Sequence, residues 1–125
     1  MKSRKIKHKS RIRSFRFAFN GLRILFTEES NARVHLFFAV VIIILGIILN
    51  ISRFEWLAVV FAIGLVMCLE IINSALERIG NLISHEENIN IGKMKDLAAA
   101  GVLIGSITAA AIGLIIFIPE LLDLL

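Results

Sequence analysis

The sequence predicts an all-α membrane protein, and three observations carry that prediction. Hydrophobic residues make up 58% of the 125 residues and the mean hydropathy is +0.85, too apolar for a soluble domain of this size. The apolar residues gather into three runs, at 34–51, 54–80 and 97–118, each long enough to cross a hydrocarbon core. The single proline, Pro119, lies beyond the third run, so a helix can propagate through each of them. A helix satisfies its own backbone groups, which lipid cannot do for it, and for that reason the runs read as transmembrane helices. The predicted architecture is one membrane-integral domain over residues 1–125: a basic amphipathic surface helix and hinge at 1–33, then three spans.

The N-terminal stretch justifies the surface helix. Residues 1–26 hold Lys2, Arg4, Lys5, Lys7, Lys9, Arg11, Arg13, Arg16 and Arg23 and no acid, a charge run attracted to anionic lipid headgroups. Ile12, Phe15, Phe19, Leu22 and Phe26 recur at spacings of three and four, with Arg13, Arg16, Asn20 and Arg23 on another face. That periodicity belongs to a helix lying in the interface plane. It also argues against nucleic acid as the partner of the basic arm, because the aromatics sit at helical positions. Phe17 and Ile24 fall off the main stripe on the arginine side and are expected to pack against another helix or a ligand. About thirty polar and basic residues precede the first apolar run and no small-residue cleavage site follows it, so the spans are expected to remain in the mature protein.

The remaining elements follow in order. Thr27 to His35 reads as a polar hinge carrying the first acids, Glu28 and Glu29. Asn50 to Glu55 reads as a tight turn between the first two spans. In the second span Glu70, Asn73, Glu77 and Asn81 fall at i, i+3, i+7 and i+11, which puts them in one polar stripe on a helix. Carboxylates entering a membrane segment are costly and persist mostly where they face a protein interior or cavity; the plain alternative is a helix end emerging into water. Ser84 to Asp96 reads as a polar loop, and the third span as stopped by Pro119 before a short acidic tail. Along that span Gly101 and Gly105 form a small-residue face that lets backbones approach, expected as a subunit contact, with packing against the second span as the alternative. Cys68 lies in an apolar run, so no disulfide forms within the chain, and it reads as a small packing residue.

Charge sets the orientation. Arg53 is the only basic residue of the first inter-span turn, so the N-terminal arm and the second loop are expected on the cytoplasmic side. Glu29, Glu77, Asn81, Lys95 and Asp96 then lie near the cytoplasmic membrane surface, with Glu70 roughly 10 Å deeper, seven helical residues away. Two carboxylates from different helices, Glu29 and Glu77, can share magnesium, a hard cation that keeps contact with substrate phosphates. Lys95 can screen phosphate charge, and a deeper carboxylate can deprotonate a lipid hydroxyl. No Gly-x-x-x-x-Gly-Lys-Ser/Thr loop and no soluble-kinase signature is present in the sequence.

The motifs Glu29-x-Asn31-x-Arg33-x-His35, Glu70-x-x-Asn73-x-Ala75-x-Glu77 and Lys95-Asp96-x-Ala98-Ala99, in this order, resemble the bacterial integral-membrane diacylglycerol kinase family, which includes undecaprenol kinases. The resemblance covers nearly the whole chain. It implies a homotrimer in the bacterial inner membrane with sites between neighbouring subunits, ATP with magnesium, and a lipid alcohol as acceptor. By matching position it implies Glu70 as the catalytic base, Glu29 and Glu77 as metal ligands, and Phe17, Glu29, Asn73, Glu77, Glu86, Lys95 and Asp96 as the ATP site. Glu70 and Ala99 take the lipid substrate in the same comparison. Three departures stand out: Asn81 where the family usually has aspartate, Phe17 in place of a tyrosine, and Asn88, with His85 nearby, where a loop histidine is expected. The reading that results is a lipid kinase transferring the ATP γ-phosphoryl group to diacylglycerol or undecaprenol. Its rivals are a small proton-coupled multidrug exporter using Glu70 and a purely structural membrane subunit.

Overall fold

The protein is described by a computed structural model that covers the backbone of residues 2–84, 86 and 88–125 and, within them, side chains from Ser10 onward. His85 and Glu87 of the second loop, and the side chains of Lys2, Arg4, Lys5, Lys7 and Lys9, lie outside the described residues. Among the described residues the chain is helical almost throughout: α1 Lys2–Glu28, α2 Ser30–Ile48, α3 Arg53–Ile83 and α4 Ile89–Asp123. It divides into two units, residues 1–30 and 31–125.

In the first unit, α1 runs without a break because no proline and only Gly21 interrupts it. Ser14 Oγ donates to the carbonyl of Ser10 at 2.9 Å and Thr27 Oγ1 to that of Arg23 at 2.7 Å, so both hydroxyls bond back into their own helix. Ile12, Phe15 and Phe19 are all exposed. An apolar stripe of this kind opposite arginines is the surface a membrane interface covers. The polar hinge predicted for 27–35 shrinks to one residue: Glu29 alone is non-helical, and its N–H still reaches the Leu25 carbonyl at 3.0 Å. With neither glycine nor proline in that stretch, nothing compels a longer break.

In the second unit three helices are long and apolar enough to cross a membrane among the described residues. Phe37, Phe38, Phe61, Ile104 and Ile115 are exposed, an apolar surface that only lipid or another apolar partner can cover. The α2–α3 connection is tight and fully bonded. Asn50 adopts φ of 51°, the left-handed conformation that asparagine tolerates better than other non-glycine residues. Its N–H reaches the Ile47 carbonyl at 3.3 Å and that of Ile51 reaches Gly46 at 3.2 Å, the paired bonds of a Schellman end. Ser52 then caps α3: its Oγ accepts from the Glu55 N–H at 3.3 Å, while the Glu55 carboxylate accepts from the Ser52 N–H at 2.8 Å. Ser52→Ala removes one arm of this box and should cost about 1 kcal/mol, read as a lowered thermal midpoint in detergent with little change in activity.

The buried cluster lies beside this turn, where Ile51, Val59, Ile116 and Phe117 meet with Trp56 and Leu45 at its edge. Farther along, α3 packs on α4. A Cβ on Gly105 would lie 2.5 Å from Leu69 Cδ1, so the small-residue face predicted as a subunit contact receives, at Gly105, a leucine of its own chain. Cys68 is exposed instead of packed, because it falls on the opposite side of α3 from Glu70 and Val66.

The second loop is shorter than predicted. Residues 89–96 are the opening turns of α4 because Asn88 caps them: its Oδ1 accepts from the N–H groups of Asn90, at 2.9 Å, and Ile91, at 3.4 Å. Pro119 does not stop the third span either; α4 continues to Asp123. Only one turn follows the proline, so a single backbone hydrogen bond is forfeited near an end that frays anyway.

Candidate functional site

The polar stripe of α3 forms as its spacing predicts, and its burial is graded. Glu70 is 2% exposed and Asn73 7%, Glu77 is half-buried and Asn81 exposed. The deep end is therefore enclosed by protein and the shallow end opens toward water. An enclosed carboxylate carries a desolvation penalty that a partner must offset. From α2, His35 places Nε2 3.7 Å from Glu70 Oε2. His35 also lines an apolar groove of about 580 Å³ bounded by α2, α3 and α4.

One turn up, Asn73 Nδ2 donates to Glu77 Oε1 at 3.3 Å. This bond turns the amide so that Asn73 Oδ1 is buried, and neither it nor the buried Ser74 Oγ has a hydrogen-bond partner among the described residues. A buried polar atom left so costs about 1–3 kcal/mol. The Glu77 carboxylate oxygens are hard donors, of the kind that suits magnesium. Among the described residues no group of three His, Cys, Asp or Glu side chains could hold a metal.

The shallow end is assembled by two helices. Gly80 lets α4 approach: a Cβ there would lie 3.0 Å from Ile91 Cγ2 and Lys95 Cε. Close approach brings Lys95 Nζ to Asn81 Oδ1 at 2.6 Å. Asn81 thus holds the ammonium by a neutral acceptor, and the lysine keeps its full charge for another anion. Lys95 and Asn81, with Ser84, Glu86 and Asn88, line an open polar pocket of about 580 Å³.

Of the residues singled out by sequence, the structure gathers Glu70, Asn73, Glu77 and, with Asn81, Lys95 along one side of the α3–α4 pair. Glu86 lines the polar pocket, whereas Asp96 and Ala99 are exposed on α4. Phe17, exposed on α1, and Glu29, at the end of α1, belong to the first unit. Asn88 is a helix cap as well as a pocket residue. Two pairings were not foreseen. His35 was visible only as a motif position, although a histidine at the head of an apolar span is itself a signal. The Asn81–Lys95 bond joins residues fourteen positions apart across a loop and leaves no periodic trace.

Residues 16–117 match the family model described as prokaryotic diacylglycerol kinase. The chain is 33% identical over 113 residues to a diacylglycerol kinase of Synechocystis, covering 90% of this chain and 65% of that protein. It is 31% identical over 109 residues to an undecaprenol kinase of Bacillus subtilis, covering 87% of this chain and 89% of that one. Against a diacylglycerol kinase of Escherichia coli the identity is 28% over 98 residues, 78% of this chain and 80% of the other.

Proposed function

We propose how this chain, which belongs to the prokaryotic diacylglycerol kinase family, works as a lipid kinase: it moves the γ-phosphoryl group of ATP onto the hydroxyl of a membrane lipid alcohol, diacylglycerol or undecaprenol. The observation that carries the proposal is the graded stripe, a buried Glu70 at the deep end and a hydrogen-bonded Lys95 at the shallow end. That order suits a reaction whose acceptor arrives from lipid and whose donor arrives from water. Lys95 and the pocket that includes Glu86 bind the phosphates from the cytoplasmic side, and Asp96, Asn73, Phe17 and Glu29 complete the nucleotide site. Glu70 takes the proton of the lipid hydroxyl as its oxygen attacks the γ-phosphorus, and the bond from that phosphorus to the ADP oxygen breaks. Ala99, small and exposed on α4, leaves room for the lipid headgroup. Glu77 and Glu29 would hold magnesium. The ion supplies charge neutralisation of the phosphate oxygens.

The working unit in this proposal is a homotrimer in the bacterial inner membrane, N-terminus cytoplasmic, with each site shared between neighbouring subunits. The family match supports the kinase and not the exporter reading.

Transfer of label from γ-labelled ATP to diacylglycerol and to undecaprenol, each in mixed micelles, tests the function. Label in either lipid, dependent on magnesium, is expected; label in neither sinks the proposal. Asn81→Asp probes the phosphate end. It puts an anion where a neutral oxygen lies 2.6 Å from Lys95 Nζ, and a pair formed there draws the ammonium away from phosphate. The KM for ATP should rise roughly two- to fivefold, in keeping with the modest strength of exposed ion pairs, with kcat nearly unchanged. An unchanged KM would remove Lys95 from the phosphates.

A further inference from the structure

We infer that His35 is a positioning residue for Glu70: from a different helix it holds the buried carboxylate in the orientation from which it accepts the lipid hydroxyl's proton. The inference rests on the kinase reading and adds to it a residue whose part in the reaction is exerted through Glu70. The geometry comes first. His35 Nε2 lies 3.7 Å from Glu70 Oε2, with the histidine side chain 24% exposed and the glutamate side chain 2%. A shift of a few tenths of an ångström brings the two atoms into hydrogen-bond range. With its proton on Nε2, the ring presents a donor to one carboxylate oxygen.

Two physical needs are met by such a contact. A glutamate has a long, rotamer-rich side chain, and fixing it costs up to about 2 kcal/mol of conformational entropy. A general base has to sit within hydrogen-bond reach of the proton it takes, so a base held by a second helix starts closer to its working geometry. The second need is electrostatic. Ionised Glu70 is enclosed next to Val66, itself buried on the same face of α3, and a donor aimed at its oxygen offsets part of the desolvation penalty.

The position of His35 in the fold suits the same task. Among the described residues it is the one ionisable side chain lining the apolar groove between α2, α3 and α4, whose wall near it is Val34, Phe38, Val66 and Met67. The ring therefore stands between a lipid-like surface and the carboxylate. It joins α2 to the stripe of α3, so the base is referenced to two spans and not to one.

A double-mutant cycle in full-length protein, assayed for phosphoryl transfer to a lipid alcohol in mixed micelles, tests the inference. His35→Leu should lower kcat about tenfold or more, within the coupling range of residues in direct contact, while the KM for ATP stays near wild type. His35→Gln keeps an N–H donor and should recover part of the loss. The double variant His35→Leu with Glu70→Gln should be no slower than Glu70→Gln alone, because His35 acts through Glu70. Full kcat in His35→Leu overturns the inference. So does a multiplicative double variant, or a loss in His35→Leu that comes with a fallen thermal midpoint and no recovery in His35→Gln. Wild-type protein that labels no lipid overturns the kinase reading itself, a result distinct from all of these.

Discussion

Glu70→Gln should lower kcat by about 10²- to 10⁴-fold, the range a positioned general base contributes, with the KM for ATP nearly preserved. Gln keeps the size and much of the hydrogen-bonding shape of the carboxylate, so the enclosed site at the deep end of the stripe should still fold. What it loses is the capacity to take a proton. An interaction needed in the transition state and little in the ground state shows itself as a fall in kcat with unchanged substrate binding. The measurement is steady-state transfer to lipid alongside equilibrium binding of ATP. If ATP binding falls with activity, Glu70 builds the nucleotide site and the base lies elsewhere. An exporter would respond differently: the substitution would abolish proton coupling, and the wild-type protein would show no lipid-dependent ATP consumption.

Glu77→Gln is expected to have the second large effect, by another route. The half-buried carboxylate accepts from Asn73 Nδ2 at 3.3 Å and is proposed to hold magnesium beside the phosphates. A neutral amide is a poorer ligand for a hard cation and leaves phosphate charge uncompensated. Activity should fall by about two orders of magnitude or more, as for loss of a major charge-stabilising group, and here the magnesium-dependent part of ATP binding should fall too. Titration of binding with magnesium and with ATP separates this from the Glu70 variant, which should bind both. Wild-type activity in Glu77→Gln would dismiss it as a ligand.

The three spans and the stripe of α3 were legible because hydrophobic runs of bilayer length and the i, i+3, i+7, i+11 spacing of Glu70 to Asn81 are local properties of the chain. Helix ends were less so. Whether residues 89–96 are loop or helix depends on Asn88 folding its side chain back onto two N–H groups, and their polar composition points the other way. Pro119 similarly reads as a stop until its distance from the end of α4 is known. The Leu69–Gly105 contact, the His35–Glu70 approach and the Asn81–Lys95 bond each join two helices. Periodicity describes one helix at a time and carries no information about which neighbour a face will meet. The family resemblance singled out His35, Glu70, Asn81 and Lys95, though not their pairings.

The placement of the whole stripe on one uninterrupted helix, α3, turns that helix into a measuring rod. Each residue advances about 1.5 Å along the axis and turns about 100° around it. One residue inserted between Glu70 and Glu77 would swing everything beyond it more than a quarter of the way round, carrying Glu77 and Asn81 off the face that Glu70 occupies. A loop-built site can absorb length changes by bulging; a site ruled along a membrane-spanning helix has nowhere to put the extra residue. Lineages of such a protein can therefore drift far in side-chain identity, and lengthen at their ends or in the connection after Ile83, while the interval from Glu70 to Asn81 stays closed to insertion and deletion.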